Sequence, residues 1–192
     1  MTGATSMAKV LILIGSARKT GNSAVLAEHA ADAARTSGAT TETVFLGDLD
    51  IRPCTGCSTC RESVDTPCVL DDGMTALYPK LKAADAVLIA TPIYSYDMAA
   101  QTKLLIDRLY ALGGADGNAL AGKRFGFIVV YGGSDPETSG AETAMRCLRA
   151  TFTRKATWMN IVHGCAYRIG DAAKNETLMA DAAALGAGLA GT

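Results

Sequence analysis

The stretch Lys9-Val10-Leu11-Ile12-Leu13-Ile14-Gly15-Ser16-Ala17-Arg18-Lys19-Thr20-Gly21-Asn22-Ser23 decides how this chain folds. Its first part is a short, continuously apolar, β-branched run closed by glycine, the pattern of a strand buried on both faces. A helix follows from Asn22 to Arg35, with Val25, Leu26, His29, Ala30 and Ala33 on one stripe and Asn22 available as N-cap. The turn between them places unsatisfied backbone N–H groups at a helix N-terminus, where amides and dipole stabilise an anion. Ser16, Thr20 and Ser23 add hydroxyls, and Arg18 can add charge. Absence of G-x-G-x-x-G argues against a dinucleotide held in the Rossmann manner, and absence of Gly-Lys-Ser/Thr against a nucleoside triphosphate. A hydroxyl-rich loop of this size suits a single terminal phosphate monoester. The competing reading is an ordinary polar βα turn.

Outward from this stretch the same alternation repeats. Residues 41–46 alternate with period two, as an edge-side strand should, and residues 86–90 form a third apolar strand. A long helix is predicted from Met98 to Leu112, a fourth strand over 125–130 and a helix over 142–152. A fifth strand over 157–162 and a closing helix over 178–189 complete the series. Between strands two and three lie a cysteine loop and a helix over 74–83, which Pro79 should kink or end early. Serial βα units imply an α/β, doubly wound, five-stranded parallel sheet, order 2-1-3-4-5, with helices on both faces. One domain over residues 1–192 is expected, with residues 1–7 a flexible leader.

Composition narrows the function. With 49% hydrophobic and 19% charged residues among 192, the chain is a globular protein rather than a disordered one. Net charge is −1 and no basic run exceeds Lys123-Arg124, so a nucleic-acid partner has no electrostatic footprint. No segment reads as a membrane span or a secretory signal, so a cytoplasmic protein is expected. Cysteines in a reducing compartment serve metals or redox chemistry.

Four of the six cysteines, Cys54, Cys57, Cys60 and Cys68, are spaced C-x2-C-x2-C-x7-C. Thiolates three residues apart on a tight loop can converge on one soft metal centre, and this spacing is close to runs that ligate iron–sulfur clusters. Zinc ligands usually come as two separated pairs. Zinc, free thiols and a disulfide remain the other readings. Cys147 and Cys165, far from this group, read as buried thiols, and His29 and His163 as structural histidines. Phe45 and Trp158 read as core, and Lys103 with Asp107 as a surface i,i+4 pair.

Taken together, Gly15 to Ser23, Pro53 to Cys68, Asp71-Asp72-Gly73-Met74, Ala84-Asp85-Ala86, Thr91-Pro92-Ile93-Tyr94 and Lys103 to Arg108 resemble the NAD(P)H-dependent FMN reductase and iron–sulfur flavoprotein families. These segments keep the family order over residues 9–108; Gly73 and Pro79 depart from the usual pattern, as does the long gap from Cys60 to Cys68. The resemblance implies a flavodoxin-like fold with the FMN phosphate held by Ser16, Arg18, Thr20, Gly21, Asn22 and Ser23. It implies Thr91, Pro92, Ile93, Tyr94 and Ser95 along the isoalloxazine ring, with Gly132 and Gly133 at the ring's other edge. The implied function is an FMN oxidoreductase that takes hydride from NAD(P)H and reduces a quinone, flavin or other small-molecule acceptor. The rival it implies is an electron carrier in which the four cysteines hold a [4Fe–4S] cluster and a ferredoxin-like protein is the partner. A homo-oligomer, dimer or tetramer, is implied as well, and no catalytic side chain is nominated. A third reading is a flavodoxin-like binding module with another phosphate in its loop and zinc on its cysteines.

Overall fold

The apolar runs do become strands, and they align side by side. The structure is a computed structural model that describes residues 7–153 and 156–191. In chain order the elements are β1 (Lys9–Ile14), α1 (Asn22–Thr36), β2 (Thr40–Phe45), α2 (Gly73–Ala83), β3 (Ala86–Tyr94) and β4 (Asp97–Met98). Then come α3 (Ala100–Arg108), β5 (Arg124–Tyr131), α4 (Ala141–Phe152), β6 (Thr157–Cys165), α5 (Asp171–Lys174) and α6 (Glu176–Ala190). The five long strands are all parallel in the order β2-β1-β3-β5-β6, and the two-residue β4 folds back antiparallel on the end of β3. Counting parallel strands alone, this is the expected order 2-1-3-4-5 of a flavodoxin-like sheet.

Both faces of the sheet are covered because both sets of alternating side chains are apolar. Leu11, Leu13, Val87, Ile89, Phe125, Phe127 and Val129 point to the side packed by α2, α3 and α4. The Phe125 and Phe127 rings meet Phe152 of α4 at centroid distances of 4.5 and 5.1 Å. Val10, Ile12, Ile14, Leu88, Ala90, Ile128 and Val130 point to the opposite side, under α1 and α6. Burying each of the larger side chains contributes about 1.5–3 kcal/mol before chain entropy is counted.

Several elements differ from the sequence expectation. The buried face of α1 is Ala24, Leu26, Ala27, Ala30, Ala31 and Ala34, while Val25, His29 and Ala33 are only half-buried. The stripe turns toward the small residues because α1 packs on α6 as well as on the sheet. At the contact, a β-carbon on Gly186 would lie 2.0 Å from the Ala30 carbonyl oxygen, so glycine alone permits the approach. The long helix after β3 is shorter than expected: a hairpin through β4 precedes α3, and a 3₁₀ turn over Leu109–Leu112 replaces its end. Pro79 sits inside α2 without ending it. A capping box, Asp72 with Thr75, and the buried Leu77 and Leu81 on either side offset the lost hydrogen bond. Strands β3 and β6 run three or more residues past their expected ends, and α5 was not anticipated. Phe45 is partly buried against the core. Residues 1–6 of the expected leader and the side chain of Trp158 lie outside the described residues; Met7 is exposed.

The close α1–α6 packing generates a stability test. Gly186→Ala should force the helices apart and cost about 1–3 kcal/mol or more, read as a lower urea midpoint with an unchanged slope.

Candidate functional site

At the carboxyl ends of β1, β3 and β5 the backbone leaves a crevice, the place where open α/β sheets bind ligands. Its floor is the loop from Gly15 to Gly21. The Ser16 hydroxyl accepts from the Arg18 N–H (3.0 Å) and lies 3.1 Å from the Arg18 carbonyl, while the Gly21 N–H donates to that carbonyl (3.1 Å). These bonds curl the loop around the start of α1. Gly21 is the N-cap, with no side chain capping it, and the first turn of α1 holds no acidic residue. The first amides of the helix are thus left without a side-chain cap, with nothing negative supplied by the helix itself, the arrangement that favours an anion. The Ser23 side chain is 2% exposed, and its buried hydroxyl has no hydrogen-bond partner among the described residues. An unpaired buried hydroxyl costs free energy unless a ligand satisfies it.

A cavity of about 240 Å3 opens over this loop. Of the residues expected to hold a cofactor, Ser16, Arg18, Gly21, Asn22, Ser23, Pro92, Ile93, Tyr94 and Gly132 line it together. Thr20, Thr91, Ser95 and Gly133 do not. The Thr91 side chain is buried, and its hydroxyl accepts from the Ala99 N–H (3.2 Å), which ties β3 to the start of α3. Ser95 and Tyr96 form the turn into β4, both in the left-handed region at φ 49° and 67°. Gly140 presses on that turn so closely that a β-carbon there would lie 2.1 Å from the Tyr96 carbonyl oxygen. Two non-glycine residues at positive φ beside the crevice are local strain held in place by packing.

Asn22 takes a different role from the expected N-cap. Its side-chain amide donates to the carbonyls of Ala166 (2.9 Å) and Arg168 (2.8 Å) and accepts from the N–H groups of Gly170 (3.1 Å) and Ala172 (3.2 Å). The side chain is therefore spent on the loop after β6, and only its backbone faces the anion position. That loop brings Ala166, Tyr167 and Ile169 to the cavity wall, residues the sequence reading missed. No sequence spacing pairs Asn22 with a loop about 145 residues away.

The cysteine loop is a second centre, and its cavity shares no lining residue with the first. Cys54, Cys57, Cys60 and Cys68 all line one pocket of about 50 Å3, with Val69, Leu70 and Tyr110. The chain winds around it through left-handed Gly56 and Ser58, at φ 70° and 63°. The thiol of Cys57 lies below its ordinary pKa because the Thr59 N–H and the hydroxyls of Thr59 and Thr55 bond to it. Burial, then the charges of Cys68, Cys57 and Cys54, pushes the Cys60 thiol up. The Gly56 N–H donates to the Cys54 sulfur (3.5 Å) and the Arg108 guanidinium to the Cys68 sulfur (3.4 Å). Hydrogen-bonded thiols sharing one pocket suit a soft metal centre by donor type. Among the described residues, however, no three His, Cys, Asp or Glu side chains converge closely enough to hold a metal ion.

Beneath the loop lies an ion pair that the sequence reading did not find. Arg108, 1% exposed, makes a two-pronged contact with the fully buried Asp72 carboxylate, and also donates to the Arg52 carbonyl (2.8 Å). Asp72 accepts from the N–H groups of Met74 (2.9 Å) and Arg52 (3.0 Å). Burial by itself would raise the Asp72 carboxyl, but bonds from Arg108, Met74 and Arg52 and the Arg108 charge hold it below the ordinary carboxylate range. Farther along the loop, Asp116 accepts from the Val64 N–H (2.7 Å) and the Ser63 hydroxyl (2.8 Å), and the Arg61 guanidinium lies 4.7 Å from the centre of the Tyr110 ring. Lys103 and Asp107 form the expected surface pair at 2.7 Å. Cys165 corrects the expectation of a buried thiol, since it is exposed at the end of the edge strand β6; Cys147 is half-buried. His163 is exposed, its ring 3.3 Å from the Tyr131 hydroxyl.

Arg108→Met should cost about 3–5 kcal/mol, because it strands the Asp72 charge in the interior. Replacing both partners, as in Arg108→Met with Asp72→Leu, should recover part of that loss. The pH dependence has a definite sign. Since the folded-state pKa of Asp72 is depressed, its stabilisation is complete above the unfolded carboxyl pKa of about 4 and fades as pH falls through the folded value. Urea midpoints measured from pH 6 downward should fall steeply in the wild type and less steeply in Asp72→Asn.

Comparison with known proteins follows the same outline. The family model described as NADPH-dependent FMN reductase matches residues 8–161. An iron-sulfur flavoprotein of Archaeoglobus fulgidus is 35% identical over 142 residues, 74% of this chain and 63% of that protein. This chain spans about half to just under two thirds of the length of the first curated relatives it matches. The structure of RosB with bound 8-demethyl-8-formylriboflavin-5'-phosphate superposes with a TM-score of 0.73 at 19% identity, covering 95% of this chain and 79% of that one. An NAD(P)H:quinone oxidoreductase from Methanothermobacter marburgensis superposes at 0.70 with 18% identity, covering 96% and 100%. The two structures show a shared fold. The family match covers most of the chain and begins at the strand that feeds the anion loop: this protein belongs to the NADPH-dependent FMN reductase family.

Proposed function

We propose that the crevice binds FMN and that the protein is an oxidoreductase drawing on NAD(P)H to reduce a small-molecule acceptor such as a quinone or a flavin. The buried, unpartnered Ser23 hydroxyl at an uncapped helix N-terminus carries this reading. Family membership and the flavin phosphate and quinone named for the two structural neighbours support it. Bound FMN supplies the hydride and electron chemistry. The chain supplies position. The amides of the first turn of α1 and the Ser23 hydroxyl would hold the phosphate, Ser16 keeps the loop curled, and the exposed Arg18 would add charge. Pro92, Ile93 and Tyr94 would form one side of the ring slot, and Gly132 lines the cavity on the other.

A second reading adds a [4Fe–4S] cluster on Cys54, Cys57, Cys60 and Cys68. The shared pocket, the N–H donors to sulfur and the name of the archaeal relative favour it. In that reading the loop must tighten to bring the sulfurs onto one centre, with Arg108 beneath it offsetting negative charge.

Ser23→Ala decides the first reading. Losing a donor to a charged phosphate is worth about 1.5–3 kcal/mol, so FMN should bind at least tenfold more weakly, while the empty protein keeps its stability. Unchanged FMN affinity would count against the phosphate site. For the cluster, protein purified without oxygen is assayed for iron and sulfide. About four iron per chain, lost in Cys57→Ala, supports the second reading; iron near zero with four free thiols removes it.

A further inference from the structure

We infer that Tyr167, on the loop after β6, is a contact residue for the planar ring of the bound cofactor, and that Asn22 is the positioning residue that holds it there. The inference rests on the FMN reading above and adds a wall that neither the sequence expectations nor the three crevice loops contain. Tyr167 lines the cavity but is 76% exposed, beside Ile169 at 63%. An aromatic ring left bare to solvent on a cavity rim has apolar area for a ligand to cover. Its position is specified from two sides. Gly132 lies directly against it: a β-carbon there would come within 2.8 Å of the Tyr167 ring, so the ring's place depends on the missing side chain. The loop that carries it is fastened at four backbone points by the Asn22 side chain and, through the Ala166 N–H, to the Tyr131 carbonyl at 2.8 Å.

Asn22 is also the first residue of α1, one position from the orphan Ser23 hydroxyl. A single residue thus joins the phosphate end of the crevice to the aromatic wall at the ring end. Tyr94, 40% exposed on the end of β3, lines the same cavity. A planar ring entering between β3 and the loop after β6 would bury the faces that both tyrosines now show to water.

The test uses the full chain, FMN as probe, and two readouts: affinity and the fluorescence of bound FMN, which a tyrosine stacked on the ring quenches. Tyr167→Ala should weaken binding about tenfold and raise the fluorescence of saturated protein, whereas Tyr167→Phe should retain most of the affinity. Asn22→Ala should raise the fluorescence with Tyr167 still present, and should add nothing further in the Tyr167→Ala background. Ser23→Ala should weaken binding yet leave the saturated protein quenched, which separates the ring contact from the phosphate contact. Wild-type affinity and quenching in Tyr167→Ala would overturn the inference while leaving FMN binding intact. So would a change confined to sedimentation, which would make Tyr167 a subunit contact. If the wild type binds no FMN, both readings fall. Should Asn22→Ala not fold, the Tyr167 pair decides.

Discussion

The buried pair of Asp72 and Arg108 is the constraint on which the cysteine half of the molecule hangs. Asp72 ends the cysteine loop and begins α2, and Arg108 ends α3 on the neighbouring helix. Two charges removed from water are costly, and the cost is met only when every lone pair and proton finds a partner. Here the carboxylate accepts from Arg108, Met74 and Arg52, and the guanidinium reaches Asp72, the Arg52 carbonyl and the Cys68 sulfur. Of the polar atoms of this pair, the Arg108 Nε alone stays buried without a partner among the described residues. The pair therefore ties the loop at Arg52 to its return at Asp72, and places a permanent positive charge beside Cys68. A loop with little apolar surface of its own could not be held that firmly by burial.

The crevice half is organised differently, by backbone rather than charge. Its loop end holds helix N-terminal amides, the Ser23 hydroxyl without a partner among the described residues, and a turn tightened by Ser16 and Gly21. Asn22 then spends all of its amide capacity on the loop after β6. An Asn is suited to this because one side chain can donate twice and accept twice. Aspartate would lose both donors and bring a negative charge to the anion position.

Much of the fold was legible in the sequence because its information is local. A continuous apolar run such as Val10 to Ile14 can be little other than a buried strand, and serial βα units leave few topologies. The face of α1 was misread for a physical reason: hydrophobic periodicity favours large residues such as Val25, but the real constraint is the close approach of α6 at Gly186, which selects alanine. The site followed the same rule. Ser16, Ser23 and Tyr94 line one cavity as expected because each lies just beyond a strand, in the helix after it or at its end, while Thr91 was drawn inward to fasten α3. Tyr167 and the Asp72–Arg108 pair were missed because each depends on partners distant in sequence, which spacing cannot reveal.

The two centres also differ in how they store unmet interactions. Around the crevice these are an unpaired Ser23 hydroxyl, left-handed Ser95 and Tyr96, and the bare rings of Tyr94 and Tyr167. The left-handed turn is a local cost that packing elsewhere sustains, whereas the unpaired hydroxyl and the bare rings are costs that a bound anion and a planar ring would relieve. In the cysteine loop the balance is reversed: sulfur already receives hydrogen bonds from Gly56, Thr59 and Arg108. The crevice thus keeps unmet polar and apolar groups, whereas the four thiols line a small pocket of about 50 Å3 and, among the described residues, do not converge closely enough to hold a metal ion.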